Sequence, residues 1–332
     1  MKNEVQKFRP QEQLVLDFFI REDEDQQRYS QSIELYDAIP KYFWSKSKIQ
    51  RDENGNLPTI EREFQHRGAT YTVQINPARI DGKEYYPSIR EELVEDALRK
   101  IATEGRAERI KTRIGLQFTL YELRKELKTT GHTYSNSQLK EALEICSGTN
   151  LKLICKSRND KVMLKQNIFP LYVSAEREEW LKTKARFIVE FNTLVTQSIE
   201  AQTYRQINYE RSMKLSNSLA RWLHKRMSHN YRQASTFENS YTITLTTIIR
   251  DSGITLRKRL SDCRKYARKA LEELKQQQVI WQWNEEETKE GRKLVNVKFE
   301  LKPSNIFSGE MKRANAKTTE IQRANAKTKL IR

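Results

Sequence analysis

The 332-residue chain carries 61 Lys and Arg against 44 Asp and Glu, a formal net charge of +17 with a pI near 9.6. That excess favours a polyanionic partner through release of the counterions condensed on it, although charge alone does not separate DNA from RNA or an acidic membrane. No apolar run approaches the roughly 20 residues that span a bilayer, and the opening MKNEVQKFRPQEQ has no apolar core of the signal type, so neither secretion nor insertion is expected.

The first 30 residues are polar, apart from an apolar cluster at Leu14 to Ile20, and the Asp23-Glu24-Asp25 run reads as a solvated charge cluster. From Thr59 to Ile75, β-branched and aromatic residues on both sides of Arg67-Gly68 predict a hairpin, which Asn76-Pro77 then breaks. Tyr85 to Thr103 repeats Ile89, Leu93, Ala97 and Ile101 at four-residue spacing, the mark of an amphipathic helix, with Pro87 near its first turn. A short helix over Leu120 to Leu127, the turn TTGHTY and a third helix from Ser135 follow. Ser135 and Gln138 have capping-box spacing, and Leu139, Ala142, Leu143 and Cys146 form the apolar face. The strands LKLIC and KVMLK, joined by SRND, complete a helix, helix, turn, helix and wing order.

Beyond Phe169-Pro170 lies a connecting region in which Phe187 to Phe191 predicts a strand. A second unit opens with a helix from about Tyr209 to His229 striped by Leu215, Leu219, Leu223 and Met227. TLTTIIRDSG is a short helix stopped at Gly253. A long basic helix fills Thr255 to Ile280, and VIWQW and LVNVKFEL alternate with period two across the polar stretch NEEETKEGRK as a wing. Trp281 and Trp283 lie two apart on one strand, so both are expected on one face and in the core, with stacking on unpaired bases as the alternative. RANAKT occurs at Arg313 and again at Arg323, a basic tail too short in period to make a solenoid.

Stepping round the long helix at 100° per residue separates its faces. Leu260, Cys263, Ala267, Ala270, Leu271 and Leu274 point inward; Ser261, Asp262, Lys265, Lys269 and Glu272 point outward, with Arg264 and Arg268 on the flanks. From Arg257 to Lys269 seven of thirteen residues are basic and only Asp262 is acidic. A merely solvated face usually mixes signs, whereas a helix in a major groove sets Arg or Lys against guanine acceptors and shorter polar groups against other edges. The candidate DNA contacts are Arg257, Lys258, Arg259, Ser261, Arg264, Lys265, Arg268 and Lys269. On the third helix of the first unit the outward residues Ser137, Lys140, Glu141 and Glu144 include two carboxylates, which points to a secondary or protein-contacting role.

No catalytic, cofactor or metal site is expected. GxxxxGK[ST], GxSxG and HExxH are all absent. Cys146, Cys155 and Cys263 lack CxxC spacing, with Cys146 and Cys263 read as core residues. The histidines show no H-x-H pair, and His224 and His229 are five apart, so both read as surface residues.

The two helix-and-wing units, with TLYELRKEL and TGHTYSNSQLKEALEICSGTNL in the first and LARWLHKRM and ITLRKRLSDCRKYARKALEELKQQQVIWQW in the second, resemble the replication initiator (Rep) proteins of theta-replicating bacterial plasmids over about residues 86–305. The order of elements predicts an α+β fold of two tandem winged-helix domains, with a hairpin-containing N-terminal extension at 1–85, in which the chain departs from the best-known initiators, a first domain at 86–175, a second and principal DNA-binding domain at 176–306, and a basic tail at 307–332. The resemblance implies binding of double-stranded DNA at direct repeats of an origin, opening of an AT-rich stretch with a host initiator, recruitment of the replicative helicase and a homodimer in exchange with monomer that limits copy number. The first domain would mediate dimerisation, and the setting would be the bacterial cytoplasm, with the protein on nucleoid or plasmid. A transcriptional repressor or partition regulator is the alternative, followed by a scaffold or RNA-binding protein of unspecific charge and, last, an enzyme.

Overall fold

The computed structural model describes residues 34–44, 50–102, 106–110, 113–156, 161–175, 186–200, 209–231, 240–254, 259–313 and 316. Arg257 and Lys258, the clusters at Leu14 and Asp23, the SRND turn and the second RANAKT copy lie outside them.

The predicted hairpin forms as β1 (Ile60–His66) and β2 (Ala69–Asn76). Arg67 and Gly68 make its two-residue turn with φ of 50° and 80°, the sign at both central positions that matches strand twist. It is not a separate extension. After the small ribbon of β3 (Ala78–Ile80) and β4 (Lys83–Tyr85), helix α1 (Ile89–Ile101), β5 (Ala107–Ile110), β6 (Arg113–Thr119), α2 (Leu120–Thr129) and α3 (Asn136–Gly148), strand β7 (Asn150–Lys156) pairs with both β2 and β8 (Lys161–Asn167). The two strands read from the sequence as a first wing are thus half of a four-stranded sheet of order β1-β2-β7-β8. Phe64, Val73, Ile75, Leu151 and Leu153 alternate into its buried face. All three helices begin at capping boxes, Ser88 with Glu91, Thr119 with Glu122 and Ser135 with Gln138, which satisfy N–H groups otherwise orphaned in the first turn.

β9 (Leu171–Ala175) and β10 (Arg186–Glu190) form a second four-stranded sheet of order β5-β6-β10-β9, on which α4 (Thr193–Glu200) packs. Phe187, Val189 and Phe191 are buried there, so the stretch read as a connection belongs to the first core. The apolar side chains form one cluster from Leu35 to Met213 and another from Leu215 to Met311. The change of core therefore comes near residue 214, past the boundary at 175/176 read from the sequence.

The single helix expected over Tyr209 to His229 is two, α5 (Tyr209–Lys214) and α6 (Ser218–Asn230), divided where the Asn217 side chain accepts from the Leu219 N–H as the cap of α6. The predicted stripe holds, with Leu215, Leu219, Leu223 and Met227 all buried. Next come β11 (Tyr241–Thr244), α7 (Leu245–Ser252), α8 (Leu260–Gln276), β12 (Ile280–Glu290) and β13 (Lys293–Pro303), the strands forming a sheet of order β11-β13-β12. A helical segment over 305–313 follows, and its Phe307 and Met311 are fully buried in the second core. The start of the stretch read as a tail is thus anchored to the second core by Phe307 and Met311, which two apolar side chains among polar ones did not announce.

The two cores meet across buried charge. Arg221 of α6 donates to Glu92 of α1 at 3.1 Å, Lys225 to Asp96 at 2.6 Å, and His229 Nε2 stands 3.0 Å from Asp37 Oδ2, while Asp37 Oδ1 accepts from Arg99 Nη1 at 2.7 Å. Burial alone would raise the Asp37 pKa, but Arg99 and His229 outweigh it and hold the carboxyl well below its ordinary value. His224 and His229, read as surface residues, are buried. His224 has neither ring nitrogen hydrogen-bonded among the described residues, and burial, with Arg211 and Lys225 nearby, pushes its pKa down to about 3. Five residues apart, the two stand about 140° apart round α6, His224 against Phe307 of the second core and His229 against Asp37.

Candidate nucleic-acid interface

The long basic helix sits between α7 and the long hairpin. α7 is capped by Thr244, whose hydroxyl accepts from the Thr247 N–H, and is stopped by Gly253 at φ 72°. A side chain on Gly253 would meet Pro40 Cβ at 2.9 Å and Arg62 Nη1 at 2.7 Å, so glycine is needed there for both backbone sign and room. α8 itself opens at Arg259, whose side chain makes no capping hydrogen bond.

The inward face is as predicted: Cys263, Ala267, Ala270, Leu271 and Leu274 are buried in the second core, with Leu260 half-buried. Opposite them Arg259, Ser261, Lys265, Arg268, Lys269 and Glu272 are exposed. Lys265 and Lys269, one turn apart, make no ion pair with any described residue. Six of the eight candidate residues are therefore placed, and all but Arg264 stand on the open side; the other two, Arg257 and Lys258, lie outside the described residues.

Arg264 and Arg268, on the flanks of that face, turn their guanidinium groups toward the β12–β13 hairpin, Arg268 remaining 46% exposed. Both guanidinium groups donate to Glu285 of β12, Arg264 through Nε at 2.9 Å and Nη2 at 2.6 Å, Arg268 through Nε at 2.6 Å and Nη2 at 2.7 Å. Arg264 Nη2 also lies 2.6 Å from Glu287 Oε1. Burial would raise the Glu285 pKa, but the hydrogen bonds from Arg268 and Arg264 lower it, so the carboxylate stays ionised.

The polar stretch read as a wing loop is strand. β12 and β13 are 11 residues each, joined only by Gly291 and Arg292, with Gly291 at φ 58°. At about 3.3 Å per residue the hairpin is roughly 36 Å long, and from Glu286 to Lys293 every residue is exposed. Its tip presents Lys289, Arg292 and Lys293; Lys289 pairs with Glu287 at 2.5 Å, whereas Arg292 and Lys293 have no ion-pair partner among the described residues. Those tip cations were missed; the signal was the GRK triplet at the turn. The tryptophans part company. A register shift between Ile280 and Gln282 turns Trp281 outward, 56% exposed with Lys302 Nζ 5.5 Å from its ring centroid, while Trp283 packs edge-on to Phe299.

On α3, Glu141 receives Arg90 at 2.6 Å, so one of the two outward carboxylates is neutralised from α1. Cys146, Cys155 and Cys263 are buried and none is in a disulfide. Among the described residues no group of three or more His, Cys, Asp or Glu is placed to hold a metal ion, and no helix is long and apolar enough to cross a membrane.

No protein-family model matches the chain, and no curated protein matches it. Among solved structures, domains 2 and 3 of RctB superpose with a TM-score of 0.52 at 8% identity, covering 81% of this chain and 98% of that one. A second structure of the same RctB domains gives 0.47 at 8% identity over 83% and 98%. The Pi initiator protein in complex with iteron DNA gives 0.43 at 15% identity over 65% and 95%. The first likeness is one of fold, spanning both cores; the other two superpositions are weaker.

Proposed function

We propose that the chain is a replication initiator of the plasmid Rep type, built of two tandem winged-helix units, that binds repeated double-stranded DNA sites at an origin. The second unit is the principal reader. α8 enters the major groove with Ser261, Lys265 and Lys269 toward the bases, Arg259 approaches the backbone, and Arg292 and Lys293 at the wing tip meet phosphate. The observation that supports this is the open face of α8. Two lysines one turn apart, with no ion-pair partner among the described residues, stand over a small outward Ser261 on a helix whose other side is locked into a core. The first unit serves dimerisation or a secondary DNA contact. The dimer exchanges with monomer to limit copy number, and partnership with a host initiator and helicase in theta replication completes the proposal, which assigns the chain no enzymatic step.

The test is a footprint of the purified protein on DNA flanking its own gene at about 150 mM salt with competitor, where unspecific binding is already weak. Regularly spaced protected repeats beside an AT-rich stretch are the expected result. One operator-like site would make the protein a transcriptional regulator, and no protection would remove α8 from any sequence-reading role.

A further inference from the structure

Glu285 is an unusual residue for a surface that is to meet DNA. It stands opposite Phe299 in the β12–β13 register, and cross-strand partners share a face. Since Phe299 is fully buried, Glu285 lies on the inner side of the wing, with its side chain only 9% exposed. Four N–H groups converge on it, two from each arginine. Fastening the wing to α8 does not need both. Arg264 is 18% exposed and has Glu287 as a second partner, whereas Arg268 is 46% exposed and is held by Glu285.

The geometry of the grip matters. A guanidinium has five N–H donors in a rigid plane. Glu285 takes the edge formed by Nε and Nη2 of Arg268, which fixes that plane and leaves the Nη1 end directed away from the carboxylate. The carboxylate also stands where phosphates would otherwise draw the two cations.

Resting on the DNA-binding reading above, we propose that Glu285 is a positioning residue for specificity: it holds Arg264 and Arg268 so that the donors left over, chiefly those of Arg268, meet a guanine edge, and it withholds both arginines from unspecific phosphate contact. A supporting shell of this kind separates a recognising arginine from a merely attracting one.

Glu285→Gln removes the charge with little change in volume. The affinity of the full chain for the footprinted fragment and for a shuffled fragment is measured across a salt series. In the variant, specific affinity is expected to fall about 10-fold and shuffled-DNA affinity to rise several-fold, while the shuffled-DNA salt slope steepens by about one to two as freed arginines reach phosphates. Arg268→Lys, which keeps the charge but loses the two-point grip, should lose specific affinity and retain shuffled-DNA affinity. Thermal unfolding of both variants separates these effects from loss of fold.

An unchanged ratio of specific to shuffled affinity in both folded variants overturns the role of Glu285 while leaving the DNA-binding reading intact, as does an equal tightening on both fragments, which would make Glu285 only a brake. If the wild-type chain does not prefer the footprinted fragment, the functional reading and the proposal fall together.

Discussion

His224 shows how far a single residue's setting can depart from its place in the sequence. Its imidazole is fully buried beside Phe307, with ring centroids 6.0 Å apart, and its pKa is pushed from 6.5 to about 3. Between those values the unfolded chain binds a proton that the folded chain refuses, so stability is fully present above pH 6.5 and is lost as pH falls toward 3. At its steepest the slope is about 1.4 kcal/mol per pH unit for one proton. The urea midpoint should therefore decline between pH 6.5 and 4.5 in the wild type and decline less in His224→Leu. Equal declines in the two proteins would show that His224 does not carry the acid sensitivity. The open lysines of α8 are the opposite case: Lys265 and Lys269 were placeable from the sequence because a helix of known inward face leaves no choice about what is outward. The grip of Glu285 was not, since it depends on a strand register that pairs residues across the hairpin.

At the scale of elements, local signals read well and pairings did not. α1, α2, α3, α7 and α8 follow from periodicity, caps and stops within a dozen residues of each other, and so does the hairpin about Arg67-Gly68. The sheet β5-β6-β10-β9 does not, because β6 and β10 come together only in the fold, Phe118 facing Phe187. The joining of β2 to β7, Tyr71 opposite Cys155, is likewise beyond any local pattern. The break between α5 and α6 was hidden because its apolar stripe continues unbroken through Leu215 and Leu219. Asn217 caps α6 there, and Ser216 and Asn217 both donate backbone N–H groups to Glu273 of α8. Asn217→Ala should cost about 1 kcal/mol, measured by urea unfolding, with no change in fold. A loss below a few tenths would mean that Glu273 already satisfies that end of the helix.

For the whole molecule, the decisive feature is that two cores are joined by ion pairs removed from water. Such pairs add little net stability against an apolar seam, but breaking one partner leaves the other charged and buried. Arg221 is 1% exposed and also donates to the Leu215 carbonyl at 2.7 Å, so Arg221→Met should lower stability by about 3–5 kcal/mol, whereas replacing Arg221 and Glu92 together by apolar residues should recover much of that. Chemical unfolding of the single and double variants measures this; equal losses in both would place the cost in packing, not in the Glu92 carboxylate left with Lys225 at 3.7 Å. A joint of this kind fixes the first unit relative to α8, so DNA would meet one body with one open basic helix.

That helix carries the central claim, and Lys265→Ala and Lys269→Ala test it most directly. Neither residue has an ion-pair partner among the described residues, so thermal stability should not change. Titrated against the footprinted and shuffled fragments at fixed salt, each variant should bind the footprinted fragment about 1–3 kcal/mol more weakly, with a smaller loss on the shuffled one. Unchanged affinity in both variants, with the wild type still selective, would show that DNA is read by another face of the molecule.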